Sequence, residues 1–228
     1  MRAAVRAATT RYHQQLRGSV GVRGSLSAKV RTRLMLHWAQ IALTQEREAH
    51  DTRAELVRTR NEVLGEGKAL DLPSELHPSM LAVAAAASAL DALYGEVRDD
   101  VGISYATQAG WRAKRMPRYT QIHETLKRGF PVKNEWHREL KWLFGGLRDA
   151  ALHPRTDFDS PEQHPLGVNA APEYVTYRCE NATRAVDLMV DVLVTCAERP
   201  RPPLEAWSAD ARRPIEGLVE TRRAFSGP

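Results

Sequence analysis

The sequence predicts an all-α protein: a bundle of about four core helices with an N-terminal helical extension. Three observations predict it. Apolar residues recur at helical spacing through several long segments, no stretch carries a strand alternation of weight, and no internal repeat is present. The 228 residues, 43% of them apolar, suffice for one real core with extensions, or at most two small domains.

Residues 1–25 read as a basic flexible arm. From Met1 to Arg33 there are eight Lys or Arg and no acid, and the first acid is Glu46. Such an arm favours an anionic partner such as RNA through phosphate neutralisation, or is simply a solvated tail. Residues 26–66 form the helical extension, anchored by Val30, Leu34, Trp38, Ile41 and Ala42, then by Leu56, Val57 and Val63 in a charged half. A helix of about 35 residues is long for a small domain, so it is expected to break or to project and pair with another subunit.

The bundle proper is expected over 79–199. Pro73 and Pro78 predict a loop up to Ser79, which caps an alanine-rich helix beginning at Met80. Residues 99–117 read as a loop holding Trp111, Arg112 and Arg115, an aromatic-basic mixture able to stack bases and hold phosphates, or to cover one end of the bundle. A short helix from Arg118 ends at Gly129. A polar loop follows Pro154, and a last helix from Glu173 to Arg199 presents Ala182, Val186, Met189, Leu193 and Cys196 on one face. Residues 200–228 form a Pro-rich tail whose segment Ile215–Phe225 is weakly amphipathic.

Composition also excludes classes. No run of about 18 uncharged apolar residues occurs, so no membrane span is expected. Cys179 and Cys196 fall on one helix, roughly 25 Å apart, too far for a disulfide. Free thiols and no apolar leader predict a cytoplasmic protein. The eight histidines show no metal-ligand spacing, and neither a phosphate-cradling glycine loop nor a Gly-x-Ser-x-Gly elbow is present. No metal and no cofactor are expected.

The chain is organised around Asn134–Pro154. Trp136, Leu140, Leu143, Leu147 and Ala150 form a core-facing stripe, Asn134 is a candidate N-cap, and Pro154 ends the helix. His137, Lys141, Gly145 and Arg148 share a second stripe, so Lys141 and Arg148 over Gly145 suit a phosphate. Two mid-helix glycines cost roughly 1 kcal/mol each, and tight packing against another backbone is the favoured reason for them. Asp149 and His153, four apart, share a face on which the carboxylate can fix the imidazole tautomer. On a straight helix Arg148 and His153 lie about 140° apart, so the last turn unwinds or two chains contribute.

The run Arg148-Asp149-Ala150-Ala151-Leu152-His153 near a helix end resembles the signature of the HEPN superfamily, and the alanine-rich leading helix resembles its first core helix. The resemblance implies a HEPN-like bundle, a homodimer bringing two motifs into one cleft, and metal-independent endoribonuclease activity. In that reading His153 is the general base, Arg148 stabilises phosphate charge, and Asp149 orients His153. Lys141, Trp111, Arg112 and Arg115 are the RNA-binding candidates. The family also implies a toxin or defence setting with an inhibitory protein partner. Other members are catalytically silent modules that bind RNA or nucleotide or dimerise.

Overall fold

The computed structural model describes residues 33–149 and 160–225. Its helices are α1 (Leu34–Gly65), α2 (Leu72–Val97), α3 (Tyr105–Ala113), α4 (Arg118–Gly129), α5 (Trp136–Lys141), α6 (Pro172–Thr176), α7 (Cys179–Glu198) and α8 (Glu205–Phe225). α5 runs directly into a π-helical segment, Trp142–Arg148. Among the described residues, strand is confined to a two-residue hairpin, β1 (Glu162–Gln163) and β2 (Asn169–Ala170), with Glu162 opposite Ala170. The all-α expectation holds.

α2 is the hub. Its alanines let neighbours approach closely: Ala82, Ala85, Ala86, Ala87 and Ala89 are all buried. α1 lies along it, and α7, α4 and the π segment pack on its other faces. Among the described residues α2 alone is apolar enough, by length and composition, to cross a membrane, but it lies in the centre of the bundle. It starts seven residues earlier than the expected cap at Ser79. Pro73 sits in its first turn, where a missing N–H costs nothing. Pro78 sits inside the helix, at a cost of roughly 3 kcal/mol. Buried Leu72 and Glu75 hold that first turn in place: Glu75 accepts from Arg53 of α1 and from the Cys179 N–H of α7.

α1 neither breaks nor projects within its described length. It packs on α2, α7 and α8. Its buried face is Met35, Ala39, Ala42, Leu43, Glu46 and Ala49, whereas the expected anchors Leu34, Trp38, Ile41 and Val57 face outward. The expected anchors Ala42 and Leu56 are buried, so the error is confined to the bulky residues given the inner side, where small ones fit against alanine-rich α2. One core joins Met35 of α1 to Leu218 of α8, so the extension and the tail both belong to it. α8 docks through Trp207, Ala211, Ile215 and Leu218, and its Arg222 grips buried Glu46.

Three further expectations are corrected. The 99–117 loop contains α3, which Ser104 caps by accepting from the Thr107 N–H at 3.1 Å. The 173–199 helix is two helices, broken at Tyr177–Arg178, although all five predicted inward residues of α7 are buried. Asn134 makes no cap, since a turn from Lys133 opens α5 instead. After residue 160 the chain is clamped by a second small core of Leu56, Leu72, Leu166 and Ala170. In its hairpin Gly167 has φ +73°, and a Cβ there would lie 2.7 Å from the Arg60 guanidinium. That position requires glycine.

Candidate functional site

The central helix folds as its stripe predicts. Trp136, Leu140, Leu143 and Leu147 are buried, with Phe144 beside them. Trp136 also donates its indole N–H to Asp191 of α7 at 2.8 Å, which fixes the start of the helix. The opposite stripe is outward: His137, Lys141 and Gly145 are exposed and Arg148 is half-buried.

The π winding over 142–148 was not legible in the sequence. It alters the straight-helix angles along 142–148, because a π turn takes up more residues than an α turn, while the stretch from Arg148 to His153 runs outside the described residues. π segments leave carbonyls without their usual partners. Near the end of this one, Leu147 C=O accepts from the Tyr177 hydroxyl at 2.7 Å. Burial pushes that hydroxyl up to about 12, so it remains a donor across the physiological range. Tyr177 is thus a positioning residue for the end of this helix. It lies 30 positions on in sequence, and nothing local signals the contact.

The glycine pair is not packed against another backbone among the described residues. A Cβ on Gly145 would meet nothing within 4 Å, and one on Gly146 only Trp142, at 4.0 Å. Tight packing is therefore not their reason among the described residues. Two weak helix formers inside the π segment fit its loosened winding.

Arg148 stands at the end of this segment, its side chain 29% exposed. Its guanidinium lies 5.3 Å over the Phe144 ring and 3.9 Å from the Asp149 carboxylate. Among the described residues no hydrogen bond is made to it. Asp149 is exposed. His153 lies outside the described residues, with Ala150 and Pro154.

The other candidates divide. Lys141 is exposed on the Arg148 face. Trp111 is half-buried and packs against the main core, as a cover for one end of the bundle would. Arg112 lies 5.3 Å over the ring of exposed Tyr105. Arg115 is exposed and left-handed, with φ +50°, in the helix-closing position usually taken by glycine. The strain of about 1–2 kcal/mol is held by N–H bonds from Arg115 and Met116 back to Arg112 and Trp111.

Sequence reasoning missed a second cluster beside the Lys141 face. Tyr119 and His123 of α4 meet His137 of α5, with ring centroids 5.6 and 5.0 Å from His137. Burial and the neighbouring His137 hold His123 below the ordinary imidazole range. Its Nδ1 is buried without a hydrogen bond and lies 3.6 Å from Glu124. The only sequence signal was spacing: Tyr119 and His123 are four apart on one helix, His137 and Lys141 four apart on the next. Among the described residues, no three His, Cys, Asp or Glu side chains are grouped to hold a metal ion.

No protein-family profile, curated protein or solved structure matches this chain.

Proposed function

We propose that this chain is a metal-independent endoribonuclease of HEPN type that acts as a homodimer. The observation that carries the reading is Arg148: a half-buried cation without a hydrogen bond among the described residues, on an exposed face with Lys141. A guanidinium left this way has its donors available for phosphate oxygens. In the reaction His153 takes the proton of a ribose 2′-hydroxyl. The 2′ oxygen bonds to phosphorus, the bond to the 5′ oxygen breaks, and the imidazole returns the proton to that leaving oxygen. Arg148 stabilises the charge on the phosphate oxygens, and Asp149 orients His153. The products are a 2′,3′-cyclic phosphate and a 5′-hydroxyl. A toxin or defence role with an inhibitory partner follows from the same family reading.

The test is cleavage of a mixed RNA substrate in excess EDTA by the parent, Arg148→Ala and His153→Ala. EDTA-resistant cleavage lost in both variants supports the reading, and equal cleavage by all three sinks it. A second reading, a catalytically silent RNA-binding module, draws on the stacking of Arg148 over Phe144, which occupies one face of the guanidinium. RNA binding without cleavage by the parent would favour it.

A further inference from the structure

We propose that the α4–α5 face carrying Tyr119, His123, His137 and Lys141 binds a phosphate of single-stranded RNA and takes up a proton as it does so. This rests on the RNA reading above and extends it to a second subsite on the face of α5 that ends at Arg148.

Two imidazoles from different helices meet edge to face at 5.0 Å, and the Tyr119 ring also meets His137, at 5.6 Å. The charged groups around them are few. On α4 Glu124 lies 3.6 Å from His123 Nδ1, and Lys127 lies 3.7 Å from Glu124. On α5 the cation one turn beyond His137 is the exposed Lys141. From α2, Asp91 is already paired with Arg118 at the start of α4. Glu124 is thus shared with Lys127, and burial outweighs its pull on His123, which is held neutral near pH 7.

Burial and the neighbouring His137 both disfavour the charged form of His123. A phosphate seated between the two rings and Lys141 supplies the missing counter-charge. It favours the protonated rings, so binding and proton uptake are linked. Exposed His137 and half-buried Tyr119 beside it give a neighbouring base an aromatic surface. An RNA phosphate fits better than free phosphate, because one histidine is exposed, an aromatic ring adjoins it, and Arg148 lies further along the same helix.

The experiment is the affinity of the full chain for a fluorescent single-stranded RNA dodecamer from pH 8 to 5.5, at fixed ionic strength. The parent, His137→Gln, His123→Gln and His153→Gln are compared, with inorganic phosphate as a separate competitor. His137 is exposed, so its substitution leaves the fold intact and keeps the test decisive. The expected result is affinity rising as pH falls, by up to roughly tenfold per pH unit for each proton taken up. That rise is lost in His137→Gln and retained in His153→Gln. A rise of the same size in His137→Gln overturns the proposal. So does a rise lost only in His153→Gln, or inorganic phosphate competing as well as the RNA itself. RNA binding absent at every pH overturns both this inference and the ribonuclease reading. A pH-linked, His137-dependent affinity without EDTA-resistant cleavage overturns the ribonuclease reading alone.

Discussion

Arg53 and Arg148 are both guanidinium groups on the flank of one core, and the chain treats them in opposite ways. Arg53 is 14% exposed and fully engaged, with Nε on Glu75 at 2.8 Å and a terminal nitrogen on Glu180 at 2.9 Å. Glu75 in turn holds the first N–H of α7 at 2.7 Å. This network ties α1, α2 and α7 together and leaves nothing for a ligand. Arg148 is more exposed and, among the described residues, meets the Asp149 carboxylate at 3.9 Å and the Phe144 ring but makes no hydrogen bond. Satisfied charge builds the fold, whereas charge left short of partners is where binding energy remains to be gained.

The largest expected effect lies on the satisfied side. Glu75→Ala leaves Arg53 with Glu180 alone and strands the Cys179 N–H, and is expected to cost about 3–5 kcal/mol in urea unfolding. A loss below about 1 kcal/mol would break the contrast. Arg148→Ala is expected to do the reverse. Unfolding stays within about 0.5 kcal/mol of the parent, while single-turnover RNA cleavage falls by about 10²–10³. A variant that unfolds early and cleaves normally would make Arg148 structural.

Tyr177→Phe tests the link between the two regions, because Tyr177 belongs to the satisfied interior and holds the carbonyl one residue before Arg148. Removing the bond to Leu147 C=O is expected to cost about 0.5–1.5 kcal/mol, with faster amide exchange confined to the π segment. Uniform exchange along the helix would dissociate Tyr177 from that winding.

Acid titration sharpens the picture of the clamped hairpin. Burial holds His164 below its ordinary 6.5, so the unfolded chain binds more protons as pH drops under about 6.5. Stability is complete above that value and falls toward the lower folded pKa. Glu46, held above 4.5 by burial, has the opposite slope and gains stability as pH falls through its raised pKa. His164→Gln should flatten the upper part of the curve in pH-dependent melting. An unchanged curve would show that the imidazole is not what titrates.

The smallest effect is at the glycines. Gly145→Ala meets nothing within 4 Å and is expected to stabilise by about 0.5–1 kcal/mol. Stabilisation together with lost RNA cleavage would mean that a second molecule approaches this surface. Stabilisation with full cleavage would mean that the glycine serves only the winding.

Helix identity, the inward stripes of α5 and α7 and the outward stripe of His137, Lys141, Gly145 and Arg148 were legible in the sequence. Each is a local periodicity, and strongly amphipathic segments keep their face when they pack. On α1 the same logic failed. Apolar residues lie on two of its sides, and Met35, Ala39 and Leu43 won over Leu34, Trp38 and Ile41 because α2 presents a surface of alanines, while the expected anchors Ala42 and Leu56 are buried. The α2 start was misplaced because Pro78 is a local stop signal that the remote Arg53 and Cys179 contacts override.

By itself, then, the sequence determined that the chain is helical, which side of its central helix is buried and where the cations of that helix stand, since all three depend on neighbours three or four residues away. The tertiary structure decided the rest: the inner face of α1, the π winding braced by Tyr177, the burial of Glu75 and the meeting of His123 with His137. Those depend on partners 14 to 104 residues distant in the chain, and no local pattern encodes such pairings.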